Sequence, residues 1–357
     1  MNPDLWNGKS VFLTGHTGFK GGWLALWLQQ LGANVHGYSL AAPSEPNLFT
    51  AANVADGLAS STMADVRDSE ALKKALRAAA PDVVFHLAAQ PLVRYSYAQP
   101  VETYAVNVLG TVNLLEAIRD CESVGAVVNV TTDKCYDNKE WVWGYRENEP
   151  LGGRDPYSSS KACSELVTAA YRDSFLAAKG VRVATARAGN VIGGGDWALD
   201  RLVPDFFRAA DQNRPMDVRH PGATRPWQHV LEPLSGYLLL AEQLISGRNE
   251  HAGAWNFGPA DEDARSVRWI LDYLSRKLPR AGWRHVEGVH VHEAHSLKLD
   301  SSKAVAQLGW APRWSLNEAL DHTVEWHLAW KAGRDMRALC LEQIAMYAKA
   351  VRRGTFV

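Results

Sequence analysis

The chain has 357 residues, enough for one large α/β domain or for a core domain with a smaller second lobe. Its 38 basic and 39 acidic side chains nearly cancel to a formal charge of -1, so no basic field invites nucleic acid or an anionic membrane. Asp4, Asn7 and Lys9 interrupt any signal-peptide pattern, no apolar run reaches the ~20 residues of a membrane span, and a cytoplasmic protein is expected.

An apolar strand at 11–14 runs into Thr14-Gly15-His16-Thr17-Gly18-Phe19-Lys20-Gly21, three glycines spaced by three, and then into a helix. Phe19, Trp23, Leu24, Trp27, Leu28 and Leu31 recur at helical spacing before Gly32 stops it. Strand, turn and helix together predict a dinucleotide site. Gly15 and Gly18 allow a tight turn and close approach of a pyrophosphate, Gly21 lets helix and strand pack closely, and the helix N-terminus offers free amides. Apolar runs at 35–39, 83–87, 127–131 and 181–186 alternate with helices at 68–79, 101–120 and 156–179, which predicts a Rossmann-type doubly wound parallel sheet over residues 1–188.

Past residue 189 the alternation breaks. Helices at 204–212, 231–246, 266–277 and 315–332 stand among proline-bearing loops, which predicts a smaller C-terminal α/β substrate-binding lobe over 189–333, with some chain returning to the first domain. Residues 334–357 read as one further amphipathic helix. Of the 14 tryptophans, Trp141, Trp143, Trp197 and Trp227 lie in loop contexts where they could line a pocket, with ordinary packing preferred for any one. Cys121, Cys135, Cys163 and Cys340 are scattered without metal-ligand spacing, so free thiols and no metal are expected.

The second decisive motif is Tyr157-Ser158-Ser159-Ser160-Lys161, a phenol and an ammonium four residues apart on one helix face. A nearby cation favours phenolate, so Tyr157 can remove a hydroxyl proton as hydride leaves the same carbon. Thr131-Thr132-Asp133, at the end of a central strand, supplies a hydroxyl partner. No Lys or Arg stands between Lys20 and Arg67 to hold the 2′-phosphate of NADP, so NAD is expected, although Ser39 occupies the strand end where an acid commonly holds the ribose.

Four separated motifs, Thr14 to Leu24, Leu87 to Arg94, Thr131 to Tyr136 and Gly189 to Trp197, make the chain resemble the extended short-chain dehydrogenase/reductases, and within them the nucleotide-sugar 4,6-dehydratases, over roughly residues 8 to 330. The resemblance implies a catalytic NAD: hydride leaves sugar carbon 4, water leaves across carbons 5 and 6, and hydride returns to carbon 6. It implies CDP-glucose as substrate, the base resting on the likeness alone. By this resemblance Tyr157 is the base for the oxidation, Lys161 holds the nicotinamide ribose and lowers the Tyr157 pKa, and Thr132 hydrogen-bonds the reacting oxygen. Asp133 would protonate the departing hydroxyl, so burial should raise its pKa. Lys134 departs from the dTDP-glucose enzymes, which carry a glutamate there as the carbon-5 base. Here Lys134 either takes the carbon-5 proton, the preferred reading, or stabilises an enolate while another group takes it. An adjacent Asp133-Lys134 pair favours dehydration over plain epimerisation.

The same resemblance places Gly15, Thr17, Gly18, Phe19, Lys20, Gly21, Ser39, Leu87, Ala88, Ala89 and Thr131 at the cofactor, with Asn107 bracing that path. Asp65-Val66 would meet the adenine, though an ordinary turn aspartate reads nearly as well. Gln90 and Arg94 would line the sugar pocket, Asn190 would face the diphosphate, and Leu202-Val203 would offer backbone to the base. A diphosphate also needs cations, which the loop residues Arg201, Arg219 and Arg225 offer, one or two of them in contact with it, a surface salt bridge reading about as well for each taken singly. His229, His292 and His295 are expected to be structural. Relatives pair through helices equivalent to 101–120 and 156–179, implying a homodimer or homotetramer. The alternatives are another dehydratase, epimerase or decarboxylase of the family, or a dinucleotide-sensing protein without chemistry, which would not need Thr132, Tyr157 and Lys161 together.

Overall fold

Apolar β-branched runs need cover on both faces, and in the computed structural model they find it at the centre of seven parallel strands. The structure describes residues 1–279, 281–287 and 297–351, so His292 and His295 lie outside the described residues. The strands are β1 (Ser10–Thr14), β2 (Asn34–Ser39), β3 (Ser60–Met63), β4 (Val83–His86), β5 (Ala126–Val130), β6 (Arg182–Ala188) and β7 (Ala254–Phe257). Their order across the sheet is β7-β6-β5-β4-β1-β2-β3. Strand order reverses between β1 and β4, where Thr14 stands beside His86, and such a switch point leaves a crevice beyond the carboxyl ends.

Two strands carry no sequence signal. β3 is the polar run Ser-Ser-Thr-Met at the sheet edge, mostly exposed. β7 lies in the second half of the chain and returns to pair with β6, Trp255 beside Ala186. The long helices expected at 101–120 and 156–179 are each interrupted by a wide i→i+5 turn, at Ala105–Leu109 and Arg172–Leu176. The first of these carries Asn107, whose amide accepts from Gln90 N (2.8 Å) and donates to Gln90 O (3.0 Å) and Ser160 Oγ (2.9 Å).

The helix Phe19–Gln30 is buried from Gly21 to Leu28 and not along one stripe only. The sheet covers one side, and the helix Met336–Lys349 covers the other, with Trp27 and Tyr347 ring centroids 5.7 Å apart at 82°. This gives the helix Met336–Lys349 a structural use. Tyr347 Oη donates to Glu232 Oε2 (2.5 Å), and the same carboxylate accepts from the backbone of Arg313 (3.0 Å) and Trp314 (2.7 Å). One side chain of the helix Leu231–Ile245 thus ties three segments together. In the second lobe Phe206, Ile270, Leu271, Leu274 and Leu320 form a separate apolar core under the helices Leu202–Asp211, Val267–Lys277 and Leu316–Lys331. Among the described residues no helix is long and apolar enough to cross a membrane.

Burial pushes the Glu232 carboxyl up to about 7, against the Tyr347, Trp314 and Arg313 donors that favour its charge. The folded chain therefore holds this proton more tightly than an unfolded carboxyl of pKa about 4.3, so the stabilisation is complete below that value and is lost as pH rises through about 7. The melting temperature is expected to fall between about pH 5 and 8, and Glu232→Gln is expected to flatten the fall; an equal slope in both proteins contradicts this.

Candidate active site

The glycine turn is built around two contacts that exclude a side chain. Gly15 has φ of +79°, and a Cβ there would lie 2.7 Å from Ala88 N. A Cβ on Gly21 would lie 2.0 Å from the Gly15 carbonyl oxygen. Glycine at both positions brings β1, the helix Phe19–Gln30 and the segment after β4 into close contact. Gly18 begins that helix without any side-chain cap, which leaves its first amides for an anion.

The turn opens into a cleft of about 1160 Å³ between the sheet and the second lobe. Gly15, Thr17, Gly18, Phe19, Lys20, Gly21, Ser39, Asp65, Val66, Leu87, Ala88 and Ala89 line it, together with Thr131, Thr132, Asp133, Lys134, Tyr157 and Lys161. The lobe adds Asn190, Arg201, Leu202, Val203, Arg219 and Arg225, and Arg94 faces them. Gln90 and Asn107 stand behind the wall. The Gln90 side chain turns away to Thr103 Oγ1 (2.9 Å) and Leu92 N (2.5 Å), because Asn107 holds the Gln90 backbone from within.

At the centre, β5 ends and the chain enters the short turn Asp133–Cys135, capped by Thr132, whose hydroxyl accepts from Lys134 N (3.3 Å). The same hydroxyl donates to Asp133 Oδ1 (3.0 Å) and stands close enough to Tyr157 to bear on its proton affinity. Tyr157 lies in the first turn of the helix Pro156–Tyr171, which Asp155 caps by accepting from Ser158 N (2.9 Å). Lys161, one turn on, donates to the Val130 carbonyl (3.2 Å). Thr132, Asp133, Tyr157 and Lys161 are all buried, and Lys134 is half-buried on the cleft wall.

Burial dominates their proton affinities. It raises the Asp133 carboxyl against the pull of Lys134, Thr132, Arg225 and Lys20, the direction a general acid needs. It pushes the Tyr157 phenol up to about 12, with Thr132 opposing, and brings Lys161 down to about 8, with Glu165 opposing. Beside burial, Thr132, Asp133, Arg201 and Asp155 bear most on Tyr157, and the Lys161 ammonium is turned to Val130. Burial also brings Lys20 down to about 8; its neighbours are Arg201, Asp133, Lys161 and Asp196, which sets it facing the reactive end of the cleft.

The remaining polar residues fall into place around this centre. Thr17 and Ser39 hydroxyls meet at 2.8 Å. The Asp65 carboxylate is gripped by Arg67 (2.6 Å and 3.0 Å), which holds it below the usual carboxylate range. Arg201 pairs with Asp196 (2.8 Å), a buried acid beside Gly193, Gly194 and Gly195 that the sequence reading left out of the site. Arg94 reaches Asp200 of the lobe (2.7 Å), and Arg225 donates to the Thr224 carbonyl (3.0 Å). Trp197 and Trp227 line the cleft, whereas Trp141 packs on Trp143 and Tyr145 at about 5 Å. His229 is fully buried between Trp23 and Trp314, and burial puts its pKa well below the ordinary value, which makes it a packing residue. The donor set fits a dinucleotide: a cradle closed to any Cβ, an uncapped helix start, and small residues at Ala88 and Ala89.

Comparison with known proteins agrees with this geometry. The family model described as GDP-mannose 4,6 dehydratase matches residues 12–323. A CDP-glucose 4,6-dehydratase of Salmonella typhimurium is 52% identical over 359 residues, covering 99% of this chain and 100% of that protein. A dTDP-glucose 4,6-dehydratase of Streptomyces antibioticus is 30% identical, covering 72% of this chain and 71% of its own. The solved structure of a dTDP-glucose 4,6-dehydratase double mutant from Streptomyces venezuelae, with NAD and DAU bound, is similar with a TM-score of 0.76 and 25% identity, covering 91% of this chain and 98% of its own. The chain belongs to the GDP-mannose 4,6 dehydratase family.

Proposed function

We propose that this chain dehydrates CDP-glucose to CDP-4-dehydro-6-deoxyglucose with NAD as a returning hydride carrier. The observation that carries the reading is the burial of Tyr157, Thr132 and Asp133 side by side, Thr132 donating to Asp133 and burial raising the Asp133 carboxyl, beside Lys134 and Lys161 in the cleft that the glycine cradle opens into. The substrate follows from a relative 52% identical over 99% of the chain that bears that activity. The glycine turn from Gly15 to Gly21 would hold the NAD pyrophosphate, Thr17 and Ser39 the adenosine ribose, Asp65 and Val66 the adenine, and Lys161 the nicotinamide ribose. When bound, NAD supplies a site that accepts a hydride and later gives it back.

The chain's own residues move the protons. Tyr157 removes the sugar 4-hydroxyl proton while Thr132 holds that oxygen, so a ketone forms at carbon 4. The ketone acidifies the carbon-5 proton, and Lys134 takes it. Asp133 then protonates the carbon-6 hydroxyl, which leaves as water, and Lys134 gives its proton back to carbon 5 as carbon 6 is reduced. The three lobe arginines Arg201, Arg219 and Arg225, with Asn190, hold the diphosphate. Because burial puts Tyr157 at about 12 in the chain itself, its activation depends on positive charge brought close when the site fills.

The chain is also proposed to act in the cytoplasm as a homodimer or homotetramer. Val101, Leu109, Leu166 and Phe175 are exposed apolar residues on the two helical stretches through which its relatives are expected to pair.

Incubation with NAD and separately with CDP-glucose, dTDP-glucose and UDP-glucose, followed by mass spectrometry, is expected to give loss of one water from CDP-glucose without net NADH; no mass change with any nucleotide overturns the reading. Asp133→Asn is expected to slow water loss by ~100-fold or more while reduced nicotinamide still accumulates, detected by absorbance. Lys134→Ala is expected to show the same stall, and unchanged dehydration removes Lys134 from the mechanism. Leu109→Asp with Leu166→Asp is expected to yield monomers by sedimentation; an unaltered assembly places the interface elsewhere.

A further inference from the structure

Behind the reactive turn lies a buried ion pair that the steps above do not use. Glu165, one helical turn after Lys161, pairs with Arg187 of β6 at 2.8 Å, and the two side chains are 3% and 4% exposed. The Glu165 carboxylate accepts hydrogen bonds from the Thr131 hydroxyl and from the Thr185 hydroxyl (2.7 Å). Arg187 donates to the Tyr136 hydroxyl (2.8 Å), which itself donates to Asn256 Oδ1 of β7 (2.7 Å). Thr131 and Tyr136 are the residues that flank the segment Thr132 to Cys135. The two halves of the ion pair therefore grip the two ends of the segment that carries the proposed acid and hydroxyl partner, and Glu165 does so from the helix that carries Tyr157 and Lys161.

We propose that Glu165 and Arg187 are positioning residues for the dehydration: together they fix the segment Thr132 to Cys135 against the helix Pro156–Tyr171, so that Asp133 and Thr132 meet the sugar in register with Tyr157. A role in stability alone does not call for this arrangement, since a well-packed apolar pair of similar volume is often as stable as a buried ion pair. Only a polar pair reaches a threonine hydroxyl on one side and a tyrosine hydroxyl on the other. The consequence is kinetic, because small displacements of reacting groups lower turnover steeply.

The proposal rests on the assignment of Thr132 and Asp133 to the reaction, and the double variant Glu165→Met with Arg187→Met separates the two. It is expected to fold, to melt no lower than the native protein, and to keep its NAD content and its KM for CDP-glucose, while kcat falls ~100-fold. Native kcat in a folded double variant overturns the positioning role and leaves the site assignment standing, whereas an unaffected Asp133→Asn variant overturns the assignment itself. Where the double variant does not fold, Tyr136→Phe removes a single hydroxyl and is expected to lower kcat ~10-fold at unchanged KM; unchanged kcat in that variant overturns the proposal.

Discussion

The chemistry of this protein depends on one contact, the carboxyl end of β5 meeting the first two turns of the helix Pro156–Tyr171. That contact buries a carboxyl, a phenol and an ammonium together, with the Thr132 hydroxyl donating to the carboxyl. Low dielectric then acts on all three in the same sense, toward the uncharged form. For Asp133 the result suits an acid waiting to protonate a leaving group. For Tyr157 it means that the chain alone stores the proton, and that neighbouring charge decides when the phenol gives it up.

The rest of the fold opens a cleft onto that contact. The reversal of strand order between β1 and β4 opens the crevice, and the Gly15 and Gly21 contacts make the turn beside it too close-packed for any residue with a Cβ. The second lobe supplies the arginines, with Arg201 already oriented by Asp196. The helix Met336–Lys349 works at a distance. It covers the outer face of the helix Phe19–Gln30, whose buried tryptophans would otherwise meet water at the very element that begins at the glycine turn.

Much of this was legible in the sequence because it rests on short-range rules. Glycines at fixed offsets after a strand, a tyrosine and lysine one helical turn apart, and apolar β-branched runs each encode a local geometry. What stayed hidden depends on partners distant in the chain. β3 is polar because it is an edge strand, and β7 is four residues whose pairing with β6 no local pattern records. Asn107 sits in a wide turn made possible by side-chain bonds to Gln90 and Ser160, which also swing Gln90 off the cleft wall. The Lys161 ammonium bonds to a carbonyl of β5, a choice set by tertiary packing. Asp196, Glu165 and Arg187 are single charged residues in sequence, and only the fold shows what they face.

The central claim is that one cleft removes a hydride from carbon 4 and returns it to carbon 6 of the same sugar. CDP-glucose carrying deuterium at carbon 4 tests this directly. The account predicts that the deuterium appears in the 6-methyl group of the product, with none lost to solvent; deuterium retained at carbon 4, or released to water, contradicts it.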